Sequence, residues 1–253
     1  MAIRTVLALA LAAERFFAAR LGPFPAQEAQ RESLALAQTL PDILEKAFIL
    51  MLNSAFSRLP ARELQAYGRQ CLDIFQRHKH RWGQALAHLI WADATNFGCR
   101  EYAEAEAGYL ASQAIFVALG DRWGQALCLT GLAHIAFQRQ QYKEAIRLAE
   151  GSLAIYRALN DPWRISTLRA ALADYTAALG DYQSAERYHQ ENLATALEFG
   201  QRSAAAQCLA QLGGIARLRG DLSTAKGRYA QSLDLYRQLG DTQGVAWVSH
   251  TLE

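Results

Sequence analysis

Between residues 142 and 159, apolar and small side chains fall at Tyr142, Ala145, Ile146, Ala149, Leu153, Tyr156 and Leu159. This i, i+3, i+4, i+7 spacing puts them on one face of a helix. Forty residues on, the same positions hold Tyr182, Ala185, Glu186, His189, Leu193, Ala196 and Phe199; after another forty they hold Leu222, Ala225, Lys226, Tyr229, Leu233, Tyr236 and Leu239. The stripe is thus repeated, with a small residue at Ala105, Ala145, Ala185 and Ala225 where two helices approach closely. Between these helices lie others, marked by Leu132-Ala133, Leu172-Ala173 and Leu212-Gly213.

The breaks between helices repeat as well. Leu119-Gly120-Asp121, Leu159-Asn160-Asp161, Phe199-Gly200-Gln201 and Leu239-Gly240-Asp241 recur every 40 residues. Inner turns at Gln140-Gln141-Tyr142, Gly180-Asp181-Tyr182 and Gly220-Asp221-Leu222 halve that period. Gly and Asn at positions 120, 160, 200 and 240 accept the left-handed conformation that ends a helix. Asp121, Asp161 and Asp241 are placed to accept the free N–H groups of the next helix. Pro162 suits a first helical position, where a missing N–H costs nothing.

These features predict an all-α chain of antiparallel helix pairs. Its repeats run over 81–121, with one extra residue, then 122–161, 162–201 and 202–241, with a partial repeat over 242–253. Before residue 81, helical patterns cover about 2–21, 26–40, 42–58 and 61–79, with breaks at Gly22-Pro23-Phe24-Pro25, Pro41 and Pro60. Residues 1–80 read either as two degenerate hairpins or as a separate helical cap. In both cases Ile49 to Leu52 and Phe56 need cover from the repeats. Met1 to Arg4 followed by the apolar run Thr5–Ala13 has the outline of a signal peptide; Glu14, Arg15 and Arg20 continue a helical pattern and favour a buried first helix. Val245 to His250 begin another first helix, so the array is expected to continue in a longer protein.

Composition narrows the function. Lys plus Arg number 26 and Asp plus Glu 24, a formal charge of +2, so there is no strong charge to coat nucleic acid or an anionic membrane. No apolar stretch reaches the length of a membrane span. The cysteines at 71, 99, 128 and 208 form no CxxC pair, which points to free thiols in a reducing cytoplasm.

Gly180-Asp181-Tyr182-Gln183-Ser184-Ala185 carries a Gly-x-Tyr inner turn with Ala three residues later, and Leu132-Ala133 carries a Leu-small pair. In these positions the chain resembles the tetratricopeptide repeat (TPR) family over about 81–253, which implies a right-handed superhelical solenoid. The 40-residue period and the near copies His80-Arg-Trp-Gly-Gln-Ala-Leu86 and Asp121-Arg-Trp-Gly-Gln-Ala-Leu127 are similar to the C-terminal sensor arrays of signal-transduction ATPases with numerous domains (STAND). The maltose-regulator type of transcription activator belongs to that class. Similar long repeats occur in adaptors such as kinesin light chains. The STAND resemblance implies a regulatory array that binds an inducer or protein partner and restrains an ATPase module in the same full-length chain. This sequence has no G-x-x-x-x-G-K-[ST] loop, so that ATPase would lie upstream. A stand-alone adaptor for a partner peptide or helix, and a peptide-pheromone receptor, are the alternatives.

In the TPR fold the first helix of each pair lines the concave face. The positions exposed there are Asp93, Asn96 and Phe97 in one repeat, Thr130, His134, Phe137 and Gln138 in the next, then Asp174, then Gln207 and Arg217. Asp93, His134 and Asp174 share one slot in successive repeats. They are placed either to meet one ligand or to form an ion-pair ladder between repeats. Phe97 and Phe137 offer an apolar floor, while Asn96, Gln138 and Arg217 offer hydrogen bonds, with Arg217 suited to a carboxylate. Ala170, Ala177, Ala178 and Gly214 leave room beside them. His78 and His80 lack a carboxylate or thiol cluster for a metal, and Trp82, Trp123 and Trp163 are expected to pack between hairpins. No catalytic constellation, metal site or cofactor motif is present, so the expected role is recognition rather than catalysis.

Overall fold

The structure, a computed structural model, describes residues 35, 37, 39–56 and 60–252. The signal-like segment 1–13 and the expected helix 2–21 lie outside the described residues. Of the expected helix 26–40, residues 35, 37, 39 and 40 are described; the first three are helical and residue 40 is in a bend.

Eleven α-helices follow one another, with no strand among the described residues. They are α1 (Leu44–Phe56), α2 (Ala61–Arg77), α3 (Arg81–Asp93), α4 (Tyr102–Ala118), α5 (Arg122–Gln138), α6 (Tyr142–Ala158), α7 (Pro162–Ala178), α8 (Tyr182–Glu198), α9 (Arg202–Leu218), α10 (Leu222–Leu239) and α11 (Thr242–Leu252). Two compact units divide the chain, Met1–Gly131 and Leu132–Glu253, and the division falls inside α5.

Left-handed residues punctuate both units. Lys79, Arg100, Gly120, Gln140, Asn160, Gly180, Gly200, Gly220 and Gly240 all have positive φ, one between each pair of successive helices from α2 to α11. Each allows the chain to fold back and bond an orphan carbonyl of the finished helix, as when Asp121 N donates to Phe116 O at 2.8 Å and Asp181 N to Thr176 O at 2.9 Å. The next helix is then capped. Asp121, Asp161, Asp181, Asp221 and Asp241 accept from the backbone N–H three residues on, at 2.9–3.2 Å, and each such cap is worth about 1 kcal/mol. His80 does the same for α3 through Nδ1, accepting from Gly83 N at 3.0 Å; a cap, not a metal site, explains that imidazole. Gln140 holds the left-handed turn (φ 60°) without being glycine. Gln140→Gly should therefore raise stability by about 0.5–1 kcal/mol, measured by urea denaturation.

In the first unit, α1 and α2 form a hairpin that packs against α3. Leu50 and Met51 are buried, as the apolar run predicts, while the side chains of Leu52 and Phe56 lie outside the described residues. The Phe48 ring meets Phe75 edge-on at 5.1 Å and His80 at 5.4 Å. A recurring knob links one hairpin to the next: Phe75 fills the space over Gly83, and Phe116 the space over Gly124, where an added Cβ would overlap the ring. The Trp-Gly of the Arg-Trp-Gly-Gln-Ala-Leu copies is thus a packing device. Trp82 adds a hydrogen bond from Nε1 to Asp121 Oδ2, at 2.8 Å.

The extra residue of repeat 81–121 is absorbed by a π-helical segment, Ala94–Cys99, at the end of α3. One residue more per turn rotates everything after it. In the second unit α8 packs against both α7 and α9, and α10 against α9 and α11. Tyr236 repeats the aromatic knob over Gly244.

Candidate functional site

The first unit joins exposed Asp93 to two buried polar side chains. Tyr109, on α4, donates its hydroxyl to Asp93 Oδ1 at 2.6 Å and accepts from Asn96 Nδ2 at 3.2 Å. Burial, with the Asp93 charge beside it, pushes the Tyr109 hydroxyl pKa far upward, so it stays protonated and remains a donor. Tyr109→Phe leaves the amide of fully buried Asn96 without this acceptor. A loss of about 1–3 kcal/mol follows, read from the denaturation midpoint.

The second unit contains an open cleft of about 510 Å³. α7 supplies Asp174, Thr167 and Ala170 to its walls, α9 supplies Gln207 and Cys208, and α8 forms the floor with His189, Asn192 and Ala196. Its origin is visible when slots 40 or 41 residues apart are compared. The knob position that is Phe75, Phe116, Tyr156 and Tyr236 elsewhere is Ala196 here, and the position eight residues on, which is Gly83, Gly124 and Gly244 in three of those repeats and Arg164 in the fourth, is Ala204. Without an aromatic ring in that slot, the space stays open.

The cleft floor is polar. Asn192 occupies the slot of Ser112, Ser152 and Ser232. Ser112 Oγ and Ser232 Oγ each donate at 2.7 Å to a carbonyl of the preceding helix, Ala85 O and Ala206 O. Asn192 Nδ2 makes the equivalent bond to Ser166 O at 2.8 Å, but its Oδ1 is buried with no hydrogen-bond partner. His189 sits one turn away, where Tyr109 and Tyr229 stand in other repeats. Burial lowers its pKa to about 4, so it is neutral near pH 7 and one ring nitrogen is an acceptor. Asp174 corresponds to Asp93, but His189 does not bridge to it as Tyr109 does to Asp93. The Asp174 carboxylate is open to solvent, yet the protein around it displaces enough water to raise its pKa.

Residues 163–238 match the family model of the tetratricopeptide repeat. A comparison with curated protein sequences finds no match. The crystal structure of BtubC (BKLC) from P. vanneervenii is similar in fold: TM-score 0.66, 17% identity, 95% of this chain and 93% of that one covered. So is a Rap protein complexed with competence and sporulation factor, with TM-score 0.60 and 16% identity over 83% of this chain and 63% of that one. A STAND protein with a tetratricopeptide repeat sensor, from Pyrococcus horikoshii, gives TM-score 0.70 at 13% identity. It covers 86% of this chain, which spans only 33% of that protein's length.

The TPR first-helix positions expected to carry the site meet different fates. Asp174 and Gln207 line the cleft. Asn96 does not reach a surface at all: it is 0% exposed, because the π-helical segment turns it into the core toward Tyr109. Phe97, one residue on, is exposed. Asp93 is exposed but held by Tyr109 within the first unit, and Thr130 Oγ1 bonds back to Ala126 O at 2.9 Å. In the second unit, His134 is half-buried, with Gln138 Nε2 at 3.2 Å from its Nε2, and desolvation lowers its pKa. Phe137 is half-buried and stacks on Tyr175 at 4.6 Å, a packing role inside the unit. Arg217 is exposed and does not line the cleft. Trp163 is exposed at the cleft rim rather than packed away between hairpins. Sequence reading missed His189, Asn192 and Ala196 because it drew the site from first helices alone. The comparison of equivalent TPR slots, with Ser replaced by Asn and an aromatic by Ala, was the signal available. Among the described residues no group of three or more His, Cys, Asp or Glu can hold a metal, and no helix is long and apolar enough to cross a membrane.

Proposed function

We propose that this chain is a ligand-binding TPR domain with a regulatory role, the sensor part of a STAND-type signal-transduction ATPase or transcription regulator. The observation that carries the binding role is the cleft of the second unit, open to solvent and floored in part by buried Asn192, whose Oδ1 the fold leaves without a hydrogen-bond partner. A purely structural hairpin stack gains nothing from such a floor, since burying an unpaired polar atom costs stability. The resemblance of the repeats to a STAND sensor supports the regulatory context. In this reading the domain is non-catalytic and works in the cytoplasm. An inducer or a protein partner occupies the surface of the second unit, with Asp174 and Gln207 among its contacts and His134, Gln138 and Arg217 as further contact positions on first helices.

Binding would act by favouring one arrangement of the full-length protein over another, and only differential affinity for the two can do so. The native reading frame on both sides of this chain tests the context. An ATPase module with a phosphate-binding loop in the same frame is the expected result. A frame without one removes the STAND reading and leaves a TPR adaptor.

A further inference from the structure

We infer that the cleft between α7 and α9 is a site for a small organic ammonium group, either a free amine or the amino terminus of a peptide. This assignment rests on the binding role proposed above and supplies the chemistry of the ligand.

The argument starts from the inventory of the walls. Asp174 is the one side chain with a formal charge among the residues that line the cleft; none of them is a lysine or arginine. Asn192 is 95% buried, being 5% exposed. Its amide nitrogen is consumed by Ser166 O, and its Oδ1, buried at the cleft floor, is an acceptor that no protein donor satisfies. His189, neutral beside it, adds an acceptor nitrogen. A carboxylate, an amide and a neutral imidazole therefore line a space to which no lysine or arginine contributes. An ammonium group brings donors and a positive charge to these partners. A phosphate or carboxylate ligand would instead face Asp174 with nothing to neutralise it.

The rest of the cleft fits an organic body. Ala196 leaves room where other repeats place an aromatic ring, Ala170 and Ala204 add only small side chains beside it, and the exposed rings of Trp163 and Phe199 stand at the rim. Arg164 covers Trp163 with its guanidinium 5.0 Å from the ring centroid, so the ligand's cation is expected at the Asp174–Asn192 end and its apolar part at the rim. The departures on α8 belong together: Ala196 makes the space, and Asn192 and His189 make its floor polar. A random loss of an aromatic knob would leave a dry hole with the usual serine beneath it.

The test is a calorimetric titration of the whole chain at pH 7.5 and low salt with 2-phenylethylamine, its N-acetyl derivative, 3-phenylpropionate and the tripeptide amide Phe-Gly-Gly-NH2. The two ammonium probes should bind roughly 10- to 100-fold more tightly than the acetylated and anionic ones, the range of a hydrogen-bonded charge interaction. Tighter binding of the tripeptide points to a peptide terminus as the natural ligand, and tighter binding of phenylethylamine to a free amine. Asn192→Ser restores the residue of the other repeats, keeps a donor for Ser166 O and should weaken ammonium binding about tenfold. The pair Ala196→Phe with Ala204→Gly rebuilds the aromatic knob and should abolish binding. No binding of either ammonium probe at 10 mM overturns the assignment, as does equal binding of phenylethylamine and its acetyl derivative, or an unchanged affinity in Asn192→Ser. Preference for 3-phenylpropionate would also overturn it, while leaving the cleft a ligand site.

Discussion

Phe116→Ala is expected to destabilise the first unit by about 3–5 kcal/mol, the cost of removing a fully enclosed aromatic side chain. Phe116 is 0% exposed and fills the gap above Gly124, where the backbone of α5 comes too close for any side chain. Truncation removes the ring's contacts, and the surrounding helices relax only partly into the gap. Phe116→Leu should cost much less, about 1–1.5 kcal/mol, because most of the volume remains. Because repeat proteins unfold in parts as well as whole, the loss should be followed by hydrogen exchange in α4 and α5 alongside urea denaturation. An alanine variant that loses less than about 1 kcal/mol would show that this slot tolerates a void without cost. Ala196, the natural occupant of the equivalent slot in the second unit, would then need no functional reason.

The second large effect is one of pH. His189 is buried and its pKa is lowered by desolvation from 6.5 to about 4. In the unfolded chain it takes up a proton near pH 6.5, whereas in the folded chain it does so only near pH 4. Between these values the unfolded state binds more protons, so stability falls as pH falls. A displacement of that size corresponds to a loss on the order of 3 kcal/mol over the window. The other titratable groups on the cleft walls are Asp174 on α7 and Cys208 on α9. Burial raises the pKa of both; the thiol does not ionise in this range, and Asp174 takes up its proton at higher pH than an ordinary aspartate. His189→Gln keeps a polar side chain and removes the titration. Denaturation curves of the two proteins from pH 7.5 to 4.5 should therefore converge as the pH drops. Parallel curves would mean that His189 titrates normally in the folded state.

Much of the fold was legible from spacing. The left-handed positions at 120, 160, 200 and 240 and the aspartate caps that follow three of them are local devices. Each works within a few residues, so the same residue types in the same order produce the same turn wherever they occur. The apolar stripes are equally local, since the helical period alone decides which side chains share a face. The site was legible only in part. Asp174 and Gln207 were found because they project from first helices at the predicted register. Asn96 was misplaced because one extra residue was absorbed as a π-helical segment, a choice made by the packing of α3 on its neighbours and invisible in a repeat count.

Sequence by itself determined an all-helical chain of TPR hairpins reversing about every 20 residues, where the caps stand and which helix faces are apolar. These follow from backbone conformational preference and from the burial of one stripe per helix. Tertiary structure decided which slots are full and which are open. Alanine at 196 is merely a small residue on a helix until α7, α8 and α9 are assembled. Only then is it the missing ring that leaves a cleft, with Asn192 and His189 at its base, because a cavity is a property of three helices together and of no segment alone.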